Sequence, residues 1–420
     1  MRTRGILALA ATAAIIVGAC SGSTASTAPS AAASAAASVA ASVAPSTAAS
    51  VAPSAAPSAA TLGPGEGALN LIAWAGYVVG GTGGEQVQGY DWVTPFETAT
   101  GCKVTVKVGL DSGNMVQLMK TGQYDGVSAS GDATIRLIAG GDVAPVDFSL
   151  IPNYKDVFEG LKNQPYNTVG GVGYGVPHGR GANVLMYDPS VVKTAPDSWG
   201  VVFDANSPYK GKVTAYNYAI YIADAALYLM KTQPALGITN PYALDKVQLA
   251  AAVALLKVQK TLIGKYWGTA QEEIDGFANG DMAIGSAWLY QQNTINAAKG
   301  KQVASVTPKE GATGWSDTWM LSSKAKHPNC MYKWMDYIIS PKANADVTVY
   351  FGEAPVSAAA CVEAEKQQAG FCEQFHAADE QYFKNIWYWN TPTTTCLDGR
   401  GDICTDFDAW TKAWTEITGS

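Results

Sequence analysis

Histidine is scarce in this chain and basic charge is in deficit. The 420 residues include only three histidines, His178, His327 and His376, and none of the seven cysteines forms a Cys-x-x-Cys pair. A zinc site takes about four N or S ligands at characteristic spacings, so no metal and no cofactor is expected. No Gly-x-Ser-x-Gly, His-Glu-x-x-His or Cys/His constellation occurs, and these are common signatures of hydrolytic enzymes. Lysine and arginine number 28 against 35 acids, with no basic patch interleaved with aromatics. That pattern speaks against nucleic acid as a partner. The glycine-rich run Gly170-Gly171-Val172-Gly173-Tyr174-Gly175 continues into Val176-Pro177. A dinucleotide fingerprint needs a helix at that point, so this run is not one. From Ser21 to Ala60 there is neither a charge nor an aromatic ring. Ser, Ala, Thr, Pro and Val, with one Gly, cannot bury enough apolar surface to offset chain entropy. A disordered tether is expected there, reaching roughly 35 Å root-mean-square.

What the first residues do contain is an export signal. Arg2 and Arg4 precede an apolar run from Gly5 to Gly18. That run is shorter than the roughly 20 apolar residues a membrane-spanning helix needs, and the order of basic, apolar and small residues is that of a secretory signal. It ends in Val17-Gly18-Ala19-Cys20, which resembles a bacterial lipobox. Residues 1–19 are thus expected to be a signal peptide, and residues 20–61 a tether lipidated at Cys20. The mature chain would sit on the extracytoplasmic face of a membrane. An ordinary signal cut near Ala19, or a glycosylated stalk, would also leave the protein outside the cytoplasm. Six further cysteines follow: Cys102, Cys330, Cys361, Cys372, Cys396 and Cys404. An even number in an exported chain points to disulfides, with fifteen possible connectivities. The pairing hypothesised is Cys102–Cys330, Cys361–Cys372 and Cys396–Cys404. The last two close short loops, and the first ties two segments assigned to one lobe.

About 360 residues remain after the leader, the right size for two lobes. Without Arg2 and Arg4 the balance is 26 basic to 35 acidic residues, which suits a cationic ligand. The apolar run Ala68–Trp74 predicts a buried strand, and Trp92–Thr100 a helix stopped by Gly101. The strict alternation of Lys103–Val108 predicts a second strand. Ser112–Thr121 predicts a helix and Tyr124–Ser128 a third strand. This order implies an α/β lobe with a mostly parallel sheet. Ligands bind outside the carboxyl ends of such strands, so Trp74, Tyr77, Ser130 and Asp132 should converge at one edge. A second α/β section follows Gly181, with strands at Lys212–Ala215 and Asp281–Trp288 and a helix over Asp245–Lys260. Met331, Trp334, Met335 and Ile338 fall at helical spacing, an apolar face turned to the core.

Several of these segments carry a family likeness. Leu69–Val78, Tyr124–Ser130, Trp199, Tyr209-Lys210-Gly211, Gly280–Trp288 and Trp315-Ser316-Asp317 occur in an order that resembles the spermidine/putrescine-binding proteins of bacterial ABC importers. The resemblance covers nearly all of residues 68–420. It implies a periplasmic-binding-protein-like fold of two lobes around a cleft. Crossings would lie near Gly181, Trp315 and Pro355, giving residues 62–181 plus 316–355 as the first lobe and 182–315 plus 356–420 as the second. Position by position it implies Trp74, Tyr77, Ser130, Trp288, Trp315 and Asp317 as ligand contacts. An alkyl diamine wants aromatic walls for its methylenes and carboxylates for its ammonium ends. The chain departs from the pattern in three places. Asp132 stands where the family has a tyrosine, Tyr218 and Tyr221 where it has second-lobe carboxylates, and Glu353 where it has a late tyrosine. The acids would then all lie on the first lobe. Arg136 and Arg180 also fall near the expected cleft.

The function implied is capture of a small cationic amine and its delivery to an ABC permease, by a lipid-anchored monomer. A second reading keeps the receptor and changes the cargo to an amino-acid-like compound such as γ-aminobutyrate, an opine or a sugar, on the strength of Arg136 and of the second-lobe acids replaced by Tyr218 and Tyr221. A third is a glycosidase-type enzyme with paired carboxylates.

Overall fold

The computed structural model describes residues 61–298 and 300–419. The signal, Cys20 and all but the end of the tether lie outside the described residues. Ser58–Ser420 is one compact unit.

The apolar run near the start forms strand β1, Ala68–Ala73. Helix α1, Val93–Thr100, ends at Gly101, whose φ of 73° is a left-handed C-cap that glycine adopts without a Cβ clash. The alternating segment forms β2, Lys103–Val108. Asp111 starts α2, Ser112–Lys120, by accepting from the Asn114 amide. Strand β3, Gly126–Ala129, leads through Ser130 into α3, Gly131–Ala139. After Thr168–Val169 and Val172–Gly173 pair as a hairpin, three short strands follow: β4, Val176–Pro177, β5, Gly181–Ala182, and β6, Val184–Tyr187. Next come β7, Val213–Tyr216, and α4, Ile222–Thr232. Helix α5, Lys246–Lys260, is opened by a capping box of Asp245 and Gln248. Strand β8, Ile263–Trp267, is followed by α6, Ala270–Asn279, itself capped by Thr269 and Glu272. The chain continues through β9, Ile284–Ala287, α7, Leu289–Ala297, β10, Ala304–Val306, β11, Ala312–Trp315, and β12, Thr318–Leu321. Helices α8, Pro328–Ile338, α9, Pro341–Phe351, and α10, Ala358–Gln367, precede the last strand, β13, Ile386–Tyr388. Helix α11, Phe407–Thr418, ends the described chain.

Two five-stranded sheets form the cores of two α/β lobes. The first has the order β2-β1-β3-β12-β4 and the second β8-β7-β9-β6-β10. In each, three strands run parallel, a fourth (β12 or β6) pairs antiparallel with them, and the fifth (β4 or β10) pairs antiparallel with the fourth and so runs with the trio. Four of the five strands in each sheet therefore run the same way, as expected of mostly parallel sheets. Strands β12 and β6 directly follow β11 and β5, whereas β4 follows the hairpin and β10 follows α7. A third sheet, β13-β11-β5, is made of the crossing segments themselves. β5 leaves the first sheet for the second, and β11 returns through Ser316-Asp317 to β12. A bridge between Arg180 and Ala354 marks a third crossing.

Met331, Trp334, Met335 and Ile338 of α8 are fully buried, as their spacing predicts. All three hypothesised disulfides are formed: Cys102–Cys330, Cys361–Cys372 and Cys396–Cys404. Helix α10 packs on α9, although it lies beyond the second-lobe boundary expected at residue 356.

Candidate functional site: an aromatic cleft with buried carboxylates

Strand direction brings the site together. Trp74 follows β1 and Ser130 follows β3. On the other sheet Tyr216 closes β7, Trp267 closes β8 and Trp288 follows β9. Trp315 and Trp389 stand at the ends of the crossing strands β11 and β13. The carboxyl ends of three sheets thus meet, and open α/β sheets bind ligands at such ends. Trp288 is the hub. Its ring lies edge-on to Trp74 at 6.2 Å, Trp267 at 5.0 Å, Tyr216 at 5.7 Å and Trp389 at 6.5 Å. Tyr216 stacks on Trp389 with planes 5° apart. These offset and edge-on arrangements are the favoured ones for aromatic quadrupoles.

Two small adjoining cavities share Trp288 and Trp389 as walls. The first holds Ser130 and Asp317 among Trp74, Trp315 and Phe351. The second holds Asn183, Tyr221 and Asp224 among Tyr216 and Trp267. Each is about 10 Å³, room for one group of about a water's size. A third cavity, about 180 Å³, lies where the end of β2 faces the start of α6, and Trp74 and Trp288 line it too.

The carboxylates are buried and short of cations. Asp317 accepts from Tyr77 Oη at 2.8 Å and from Ser130 Oγ at 2.5 Å. Burial still pushes its pKa up to about 6, against the pull of those two donors. Tyr77 reaches Glu353 more weakly, at 3.4 Å. Glu353 is fully buried with Oε1 unpartnered, and burial, with Asp317 beside it, raises its pKa well above the usual carboxylate range. His178 Nε2 stands 4.0 Å from Glu353, yet burial lowers its pKa to about 3. His178 is thus neutral near pH 7, so this contact is not an ion pair. Asp132 accepts from Ser112 Oγ at 2.9 Å and leaves Oδ2 unpartnered. Its pKa is raised to about 6 by burial, partly offset by Arg136, whose nearest nitrogen is 3.9 Å away. Asp224 is raised to about 7 by burial and accepts from Thr313 Oγ1 at 2.9 Å. Among the described residues no lysine, arginine or histidine lies within ion-pair distance of Asp224 or Asp317.

The residues singled out from sequence divide into four groups. Trp74, Ser130, Trp288, Trp315 and Asp317 line the first cavity, and Tyr221 lines the second. Tyr221 Oη also accepts from Gln259 Nε2 at 2.9 Å. Tyr77 and Glu353 sit behind Asp317 and line neither cavity. Asp132, Arg136 and Tyr218 form a separate cluster outside both. There Arg136 donates to the Asp132 carbonyl at 2.9 Å and to Tyr218 Oη at 3.3 Å, and its guanidinium lies 4.1 Å from the centre of the Phe407 ring. Arg180 is committed elsewhere. It donates to Glu380 at 2.7 Å and to the Ala377 carbonyl at 3.0 Å, and it stacks over Phe383.

A further cavity-lining acid, Asp224, was not singled out from sequence; α4 carries it beside the second sheet. Its sequence signal is weak, because an aspartate in a first helical turn ordinarily serves the helix dipole. Tyr216, Trp267, Phe351 and Trp389 were also passed over. Tyr216, Trp267 and Trp389 stand at strand ends, so a search of strand ends for aromatics would have found them.

Comparison with known proteins bears on the family and the fold. Residues 91–370 match the family model of bacterial extracellular solute-binding proteins. The putrescine/agmatine-binding protein of Pseudomonas aeruginosa is 26% identical over 286 residues, covering 63% of this chain and 75% of that protein. The putrescine-binding periplasmic protein PotF of Escherichia coli is 26% identical over 329 residues, covering 73% and 83% respectively. Among solved structures, the spermidine/putrescine ABC transporter substrate-binding protein PotD of Streptococcus pneumoniae superposes with a TM-score of 0.63 at 17% identity. That match covers 84% of this chain and 97% of that one. With two α/β lobes closing on an aromatic cleft, and with two thirds of its length matched by the family model, this chain belongs to the bacterial extracellular solute-binding protein family.

Proposed function

We propose that this protein is the extracytoplasmic receptor of an ABC importer and that its cargo is a small cationic amine of the polyamine class. One observation carries the reading. Asp317 is a carboxylate only 3% exposed, without a cation within ion-pair distance among the described residues, in a cavity walled by four tryptophans and Phe351. A buried charge without a counter-ion is costly. An ammonium group supplies that counter-ion, three hydrogen-bond donors and a cation for the indole faces, which contribute roughly 0.5–2 kcal/mol. Relatives named for putrescine binding support the same class. We assign no catalytic step to the site. The cycle is capture in the cleft, hinge closure at the crossing sheet and docking of the closed monomer on a permease.

The amino-acid-like reading rested on Arg136, whose guanidinium is already engaged by Asp132, Tyr218 and Phe407. Titration calorimetry against putrescine, spermidine, γ-aminobutyrate and arginine separates the two. Tight binding of putrescine or spermidine is the expected outcome, and binding of γ-aminobutyrate alone would overturn the cargo assignment. We also propose that Cys20 anchors the receptor by lipidation, which the lipobox-like Val17-Gly18-Ala19-Cys20 supports. Expressed in a bacterium, the protein should partition into detergent and Cys20→Ala into the aqueous phase. Aqueous partition of both would count against an anchor.

A further inference from the structure

Asp224 sits in a second compartment whose polar atoms form an ordered chain. Asn183 Nδ2 donates to Thr313 Oγ1 at 2.6 Å, and Thr313 Oγ1 donates to Asp224 Oδ1 at 2.9 Å. A hydroxyl has one proton. Since Thr313 gives it to the carboxylate, it must accept from Asn183, and the Asn183 amide is thereby turned with its carbonyl oxygen free. That oxygen has no partner, and neither has the Tyr216 hydroxyl. Asn183 and Tyr216 are only 5% and 4% exposed, and both line this cavity with Asp224. The compartment therefore presents a carboxylate, an amide carbonyl and a phenol oxygen, and no charged donor. An ammonium has three donors and no acceptor, which is the complement of this set. The compartment shares the rings of Trp288 and Trp389 as walls with that of Asp317, and these rings are an apolar surface for methylenes.

We infer that Asp224, with Asn183 and Tyr216, receives the second ammonium of an α,ω-diamine whose first ammonium lies at Asp317, so that Asp224 selects two-headed over one-headed amines. This rests on the amine-receptor reading above. The competing role for Asp224 is structural, as a first-turn acid of α4 that ties the helix to β11 through Thr313.

Calorimetry of the whole protein with putrescine and with 1-aminobutane distinguishes them. In the wild type, putrescine should bind at least 30-fold more tightly. Asp224→Asn should lower putrescine affinity at least tenfold and leave 1-aminobutane within twofold. Tyr216→Phe guards against misfolding of that variant, because the Tyr216 hydroxyl has no internal partner to lose. It should weaken putrescine about threefold and 1-aminobutane not at all. Equal losses for both amines, or none for either, would overturn the role of Asp224 while leaving the amine receptor standing. Failure of the wild type to bind any amine would overturn both.

Discussion

The two compartments of the cleft use one device on different supports. In the first, Asp317 occupies a tight connection between β11 and β12 and is gripped by two hydroxyl donors, Tyr77 and Ser130. In the second, Asp224 occupies the first turn of α4 and has a single side-chain donor, Thr313. Asp317 is raised to about 6 and Asp224 to about 7, burial being the first cause in both. The better-solvated carboxylate, in the sense of internal donors, is the one less perturbed. The comparison teaches that a carboxylate can be kept buried without a cation as long as hydroxyls hold part of its charge. The fewer the hydroxyls, the more its affinity for a cation depends on pH.

That dependence is the largest effect expected. An alkyl amine stays protonated below about pH 10, so the titrating groups are the carboxyls. Between pH 8 and pH 5, protonation of Asp317 alone should weaken 1-aminobutane about tenfold. Putrescine, needing Asp224 as well, should weaken more than a hundredfold. Calorimetry at four pH values gives the two slopes, and parallel slopes would erase the distinction between compartments. Stability follows with the opposite sense. Both folded-state pKa values lie above the ordinary 3.8, so the native state binds protons that the unfolded state has lost. These groups therefore favour the ligand-free fold less and less as pH rises from about 4 to about 7. The stabilisation on adding putrescine should accordingly grow across that window, measured as a shift in Tm.

Asp317→Asn comes next. Removing one side of a buried charged contact costs about 2–5 kcal/mol, so both putrescine and 1-aminobutane should lose about 100-fold in affinity. Unchanged binding would move the primary ammonium site away from the first compartment. Trp288→Ala removes the wall that both compartments share. Buried tryptophan anchors are commonly worth about 2 kcal/mol or more, so a loss of about 30-fold is expected, again for both amines. A loss confined to putrescine would show that Trp288 serves only the span between heads.

How much of this could be read from the chain follows the same division. Strand and helix periodicity gave the elements, because β1, β2 and α8 each have a single buried face or a continuous apolar run. The Trp315-Ser316-Asp317 triplet marked the first compartment through its resemblance to the Trp-x-Asp pair of the spermidine/putrescine-binding proteins. The second compartment had no such mark. Asp224 lies inside Ile222-Ala223-Asp224-Ala225, which reads as an ordinary first turn. Its neighbours Asn183 and Thr313 are 41 and 89 residues away in sequence and meet it only because the crossing strands β5 and β11 pair. Register across a crossing sheet is not local information. The antiparallel strands β4 and β12 were illegible for a similar reason, being short pieces whose pairing depends on chain returning from the other lobe.

Arg136 carries the smallest effect and the sharpest limit on the comparison. It lies outside both compartments, yet it spans the cleft: α3 carries it, and it reaches Tyr218 beyond β7 and the Phe407 ring at the start of α11. Its contribution is to the joining of the lobes rather than to either ammonium site. A partly exposed cation–π contact and one long hydrogen bond amount to about 0.5–1 kcal/mol. Arg136→Ala should therefore weaken putrescine and 1-aminobutane by the same factor, about threefold, and should do so through faster dissociation, since the contact forms only between approached lobes. Stopped-flow measurement of both rate constants reads this directly. A loss much larger for a carboxylate-bearing amine such as γ-aminobutyrate than for putrescine would place the guanidinium in contact with ligand, and the division of the cleft into two ammonium compartments would have to be redrawn around it.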